Sequence, residues 1–335
     1  MSGDTLTLDR FLTDEESGRP REERGLVDLL KQLAGAGRVI SRDVARAGLV
    51  GLVGYAGGEN PTGDAQKKLD IVANDILIDA VERSGVVASF VSEEIEDGRI
   101  MATDGQARFI LCTDPLDGSS NTDINGAVGT IFGIYLRRRS GPCAAVLEEI
   151  QDDARLVCAG YVMYGPATIL VITRGDGVDG FTLDLDRNAF ILTHPKMVCP
   201  PRGPYYSANL GREQGWDPNV RRFVEHLAAG DRAADRPHSL RYVGALVADL
   251  HRGLLEGGIF FYPGDAKNPD GKLRLLYECA PLAFVTEQAG GRASTGRQRI
   301  LEVRPASLHQ RVPLAIGSRD DVALYERMLA GQDVG

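Results

Sequence analysis

The run Asp114-Pro115-Leu116-Asp117-Gly118-Ser119-Ser120-Asn121 follows directly on the apolar stretch Phe109-Ile110-Leu111-Cys112. The apolar stretch reads as a buried strand. Two aspartates three residues apart therefore stand at a strand's carboxyl end, where α/β folds gather ligands. Pro115 stiffens the turn, and Gly118 lets backbone come close to a ligand. Ser119 and Ser120 are expected to open a helix whose free amides suit a phosphate. Taken alone, Asp-x-x-Asp is most often a turn or a cap. Behind a buried strand, with glycine and two serines following, it points to chemistry.

Two further acidic clusters strengthen that reading. Glu93-Glu94 closes the strand-like run Val87–Val91, and Asp64 and Asp70 flank Lys67-Lys68 at the start of a helix. Hard divalent cations such as Mg²⁺ take carboxylate and carbonyl oxygens and share them with phosphate and water. Three acidic clusters at the ends of separate elements can converge on one such site. Individually each has a plainer reading: an exposed strand end for Glu93-Glu94, a polar helix position for Asp70.

Around this core the chain reads as alternating elements. Residues 1–24 show mixed charge and no periodicity, which suggests an arm. Apolar spacing predicts helices over Gly25–Ala47 and from Leu69 to Val81, the second stopped by Gly85. The glycine-rich stretch between them, Gly48–Gly63, reads as a loop. Short strand-like runs continue to a hairpin joining Phe181–Leu185 to Ala189–Leu192. Four prolines between His194 and Pro204 mark the expected boundary between halves 1–195 and 196–335. The order of elements suggests layered α/β sheets rather than a single Rossmann domain.

Composition excludes some partners. A net charge of −9 argues against nucleic acid, and no apolar run is long enough to span a membrane. The amino terminus lacks the features of a signal or transit peptide, so a cytoplasmic protein is expected. The cysteines Cys112, Cys143, Cys158, Cys199 and Cys279 are scattered without a CxxC pair, so neither zinc site nor disulfide framework is indicated.

Residues Asp114–Asn121 resemble the signature of the lithium-sensitive, magnesium-dependent phosphatases. Further segments narrow the resemblance to the class I fructose-1,6-bisphosphatases: Thr62–Asp70, Val91–Glu94, Gly129–Tyr135, Arg241–Gly244, Val247–Arg252, Gly257–Phe260 and Gly271–Cys279. That family implies a layered αβαβα sandwich with a regulatory amino-terminal half, which carries the carboxylates, and a catalytic carboxy-terminal half. It also implies a homotetramer. By position Glu93, Asp114, Asp117, Glu278 and the Leu116 carbonyl resemble its magnesium ligands, with Mn²⁺ or Zn²⁺ as substitutes. Asp64 falls on its mobile loop, and Asp70 with Glu94 resembles the pair that activates water. Gly118, Ser119 and Ser120 fall at its phosphate, while Asn209, Tyr242, Tyr262 and Lys272 match residues holding the sugar and its 6-phosphate. Arg241 matches an arginine reaching into a neighbouring subunit's site. The implied reaction is hydrolysis of the 1-phosphate of fructose 1,6-bisphosphate.

Two segments depart from the pattern. After Asn209 the family usually continues with Glu-Gly and then a tyrosine on the 6-phosphate. Here Leu210-Gly211-Arg212 stands instead. Arg212 binds that phosphate itself, or the distal pocket is reshaped; sedoheptulose 1,7-bisphosphate is the second candidate substrate. Where AMP-inhibited relatives carry Gly-Thr-Gly-Glu-Leu, this chain has Glu23-Arg24-Gly25-Leu26, and Leu136 replaces an expected basic residue. AMP is therefore expected to inhibit weakly or not at all. Two other classes stay open at this stage: a phosphatase acting on inositol phosphates or nucleotide 3′-phosphates, and a catalytically silent metabolite sensor. The motifs after Arg241 argue against the first, and the full carboxylate set against the second.

Overall fold

A computed structural model describes residues 5–16, 20–61, 63, 65–102, 107–138, 145–152, 154–229 and 237–332. Two sheets dominate it. The larger has eight strands, in spatial order Ala189–His194, Val178–Asp184, Thr168–Thr173, Arg155–Tyr164, Val128–Leu136, Phe109–Asp117, Val87–Ser92 and Arg99–Ile100. All its neighbours run antiparallel except Val87–Ser92 with Phe109–Asp117, which are parallel. Those two strands, and Val128–Leu136 beside them, are buried along their whole length. Continuous apolar runs are what strands covered on both faces require.

One face is covered by helices Leu26–Val50 and Lys68–Ser84, which share a core with Phe109, Leu111, Phe132 and Ile134. The other face packs Ile131, Ala159, Tyr161 and Val171 against helices Leu246–Glu256 and Ala280–Gln288. Beyond these lies a five-stranded sheet, ordered Ser239–Leu240, Tyr205–Ser207, Ile259–Tyr262, Leu314–Gly317 and Arg292–Ser294. Its far face carries helices Pro218–Ala229 and Arg319–Leu329 around Phe223, Phe261 and Tyr325, whose rings meet edge-on or tilted. The result is five layers, helix–sheet–helix–sheet–helix, the αβαβα sandwich expected. The proline-rich stretch lies where the chain passes from the first sheet to the second.

Two local expectations are corrected. The amino-terminal stretch is not an arm: Leu8–Glu16 is a helix with Leu8 and Leu12 buried and Phe11 edge-on against Phe181. Leu8, Phe11 and Leu12 occupy positions i, i+3 and i+4, an apolar stripe too short to stand out among the surrounding charges. The glycine-rich stretch is not only a loop either. Helix Leu26–Val50 ends on Gly51 with φ +75°, and Tyr55–Glu59 then pairs antiparallel with Ala65–Lys67. The described cysteines Cys112, Cys158, Cys199 and Cys279 are all buried; Cys143 lies outside the described residues. Among the described residues, no helix is long and apolar enough to cross a membrane.

Candidate active site

Sheet register explains why Asp114 and Asp117 act together. Residues three apart on a regular strand point to opposite faces. Here Asp114 sits opposite Ile131 and Asp117 opposite Gly129, so three steps on one strand match two on the other. This bulge around Pro115 and Leu116 returns both aspartates to one face. Proline, which cannot donate to the ladder, suits the bulge, and its carbonyl accepts the Thr130 hydroxyl at 2.8 Å.

Glu278 comes from the other half of the chain. Leu275–Cys279 forms a π turn before the Ala280–Gln288 helix, a widened geometry common at functional positions. One carboxylate oxygen from each of Asp114, Asp117 and Glu278 lies within 4.8 Å of the others, and all three residues are buried. The parallel strand pair brings Glu93 and Glu94 alongside, since both strands end at the same edge. Leu116, Gly118, Ser119, Ser120, Asp70 and Lys67 complete the lining of a cavity of about 320 Å³. Ser119–Ile124 is a short 3₁₀ turn rather than an α-helix. Asp64 lies outside the described residues.

The electrostatics are those of crowded, desolvated acids. Burial pushes Asp117 up to about 7 and Glu278 up to about 8, with Glu93 adding to both. Asp114 is held well above the carboxylate range, by burial first and then by Glu93, Asp117 and Glu278. Burial also raises Glu94 to about 7 and Asp70 to about 6. Asp70 Oδ2 accepts the Lys67 amide at 2.7 Å and the Ser119 hydroxyl at 3.3 Å. Its Oδ1 is buried without a hydrogen-bond partner. Five clustered acids, all oxygen donors, with an orphaned carboxylate oxygen beside them, fit a hard divalent cation.

Arg274, Lys67 and Asp123 were not singled out from sequence. Arg274 is buried, its guanidinium 3.1 Å from Glu93 and its backbone amide on Glu278. Its place four residues before Glu278 was the available signal, but Lys272 and Arg274 alone read as a solvated face. Lys67 pairs with Asp123 and lies 3.9 Å from the centre of the Tyr55 ring. Gln66 donates to Glu94.

The expected sugar residues gather differently. The Asn209 side chain and the charge of Arg212 both act on the hydroxyls of Tyr242 and Tyr262, holding their affinity for protons down. Burial, then Tyr262 and Asp249, pushes Tyr242 up to about 12, so it remains a neutral donor. Lys272 contributes its carbonyl to Arg274 at 2.9 Å. Arg241 is exposed, and its guanidinium lies 5.7 Å from the Tyr205 ring centre. Asp249 accepts the Ser207 hydroxyl at 2.7 Å and the amides of Val243 and Gly244 at 2.9 and 3.0 Å. The His251 ring nitrogen Nδ1 meets the Tyr161 hydroxyl at 2.7 Å.

A tight seam joins the two clusters. Asp117 accepts the Val247 amide at 2.8 Å, and the Asn121 amide nitrogen donates to the Val243 carbonyl at 3.2 Å. Gly118 has φ +74°, and a Cβ there would lie 2.4 Å from Ala245 Cβ. Only glycine fits both the conformation and the space.

Five layers with converging carboxylates at the sheet edge define a phosphatase of the sugar phosphatase fold. The family model described as fructose-1-6-bisphosphatase, N-terminal domain, matches residues 6–195, and that for the C-terminal domain matches 199–330. The chain belongs to the fructose-1,6-bisphosphatase family. It is 53% identical to "Fructose-1,6-bisphosphatase class 1 2" of Acaryochloris marina over 90% of each chain. It is 45% identical to the class 1 protein of Chlorobium chlorochromatii over 98% of each. The crystal structure of Leishmania major fructose-1,6-bisphosphatase in holo form aligns with TM-score 0.90 at 39% identity, covering 97% of this chain and 99% of that one. The apo form of the same protein aligns with TM-score 0.85.

Proposed function

We propose that this chain hydrolyses the 1-phosphate of D-fructose 1,6-bisphosphate to fructose 6-phosphate and phosphate. The observation that carries the reading is the buried convergence of Asp114, Asp117 and Glu278 beside the orphaned Asp70 carboxylate oxygen. Mg²⁺ held by Glu93, Asp114, Asp117, Glu278 and the Leu116 carbonyl would neutralise charge at the phosphoryl oxygens and favour a nucleophile near neutral pH.

The chain's own groups do the rest. Asp70 Oδ1, buried and unpartnered, takes a proton from the attacking water, with Glu94 beside it to receive or relay it. Both have affinities lifted toward neutrality, where a base works best at pH 7. Gly118, Ser119 and Ser120 receive the reacting phosphate at the start of their turn. Asn209, Tyr242, Tyr262, Lys272 and Arg212 hold the sugar and its remote phosphate, and Arg241 completes the site of a neighbouring subunit in a homotetramer. The halves meeting near residue 195 divide the work: the first carries most carboxylates, the second the sugar contacts and Glu278. The enzyme works in the cytoplasm.

The test is magnesium-dependent phosphate release from fructose 1,6-bisphosphate and sedoheptulose 1,7-bisphosphate side by side, with Asp117→Asn as control. Turnover of the first, lost in the control, supports the reading. Preference for the longer sugar moves the substrate but keeps the chemistry, and no release from either sinks both.

A further inference from the structure

Arg212 is half-exposed on the Leu210–Gly215 3₁₀ turn, and the surroundings of its guanidinium are unusually well defined. Nη1 donates to Asp265 Oδ2 at 3.3 Å, with 34% of the arginine side chain exposed but only 9% of the aspartate's. Asp265 is itself pinned. Its Oδ1 accepts the Lys267 amide at 2.8 Å, the Asn268 amide at 2.7 Å and the Asn268 side-chain nitrogen at 3.1 Å. A carboxylate fixed through one oxygen offers the other in a set direction. The arginine it holds therefore keeps a defined orientation.

A guanidinium has five N–H donors in a rigid fork. Pairing one edge with Asp265 leaves the remainder for another acceptor. The charge of Arg212 also reaches the Tyr242 and Tyr262 hydroxyls, which Asn209 influences as well. A cation and two phenolic donors around one spot make a receptor for an oxyanion with several acceptor oxygens. The seam at Gly118 and Ala245, with Asn121 donating to the Val243 carbonyl beside Tyr242, ties this segment to the carboxylate cluster.

We propose that Asp265 is a positioning residue that aims the Arg212 fork at the substrate's remote phosphate, making a second phosphoryl dianion a condition of tight binding. This deepens the function proposed above and rests on it. Nothing in the Asp-x-x-Asp chemistry requires Asp265. Its carboxylate acts only through Arg212.

The test compares Arg212→Leu, Arg212→Lys and Asp265→Asn with the parent, all loaded with Mg²⁺. Steady-state hydrolysis of fructose 1,6-bisphosphate gives KM and kcat. Calorimetry gives affinities for fructose 6-phosphate, which carries only the remote phosphate, and for inorganic phosphate, which can occupy the reacting end. Arg212→Leu is expected to raise KM about 10- to 100-fold and to weaken fructose 6-phosphate binding equally. Its kcat and inorganic phosphate affinity should stay within about twofold of the parent, a split a merely misfolded protein cannot give. Asp265→Asn is expected to raise KM about 3- to 10-fold, and Arg212→Lys to recover only part of the loss. Unchanged fructose 6-phosphate affinity in Arg212→Leu overturns the proposal. So does equal weakening toward inorganic phosphate. Parental behaviour of Asp265→Asn removes its positioning role. A parent enzyme that neither hydrolyses nor binds these sugars instead overturns the functional reading beneath.

Discussion

Asp114, Asp117 and Glu278 are buried, hung from a bulged central strand and a π turn. Arg212, Tyr242 and Tyr262 stand part-exposed on a 3₁₀ turn, a loop and a strand end of the smaller sheet. The first cluster is fixed by the sheet ladder itself, so each aspartate's direction follows from backbone register. The second is fixed by side chains holding one another, as Asp265 holds Arg212. Under the proposed function, the reacting end is held by the backbone and the recognising end by replaceable side-chain contacts. Such an arrangement lets the distal end change, as Leu210-Gly211-Arg212 shows, without disturbing the acids.

The sharpest way to break this comparison is to replace an acid at the rigid end. Asp117→Asn is expected to lower kcat about 10³-fold or more, read as phosphate release, while fructose 6-phosphate affinity stays near that of the parent. Equal loss at both ends would mean the clusters are not separable. Next in size is the seam. Gly118→Ala should cost about 2–4 kcal/mol of stability through overpacking against Ala245 and a disfavoured φ; thermal unfolding of the Mg²⁺-loaded protein measures it.

pH sharpens the contrast further. Asp70, Glu94, Asp117 and Glu278 bind protons more tightly folded than unfolded, their folded values lying near 6 to 8. Their contribution is therefore full below the ordinary carboxylate range and lost as pH rises through that window. Metal-free protein should melt at progressively lower temperature from pH 5 to pH 8, and added Mg²⁺ should reverse the fall. A melting temperature that climbs over that range would contradict the burial-driven shifts. A smaller effect is expected at the distal end, where Tyr242→Phe should raise KM about fivefold with kcat unchanged.

Smallest of all is the expected response to AMP. Glu23 is buried just before the Leu26–Val50 helix, and Arg155 approaches Glu22 and Glu23 at 3.6 and 3.4 Å. Carboxylates already occupy the end of the helix that favours an anion, and Leu136 is buried without charge. Activity should be unchanged at micromolar AMP, and half-inhibition there would refute the reading.

The carboxylates were legible because their spacing is local: a bulge, a turn and a capped helix each declare themselves within a few residues. The Leu69–Val81 helix and its Gly85 stop were legible for the same reason. The Leu8–Glu16 helix was not, since its three apolar residues gain meaning only against Phe181 across the fold. Arg274 shows the same limit more clearly. Its sequence neighbours suggest a surface residue, and only the folded arrangement sets it beside Glu93. Arg212 was legible as a departure, but its partner Asp265 was not, because no short-range pattern links the 3₁₀ turn to the Gly264–Asp265 loop.

The seam at Gly118 has one more consequence. Because Ala245 leaves no room there, and Asp117 and Asn121 are tied to the facing backbone, the acids and the distal receptor cannot slide apart. The pair behaves as the jaws of a gauge set to one opening. A single missing methyl group, at the edge of the carboxylate cavity, thereby holds the two clusters at one separation.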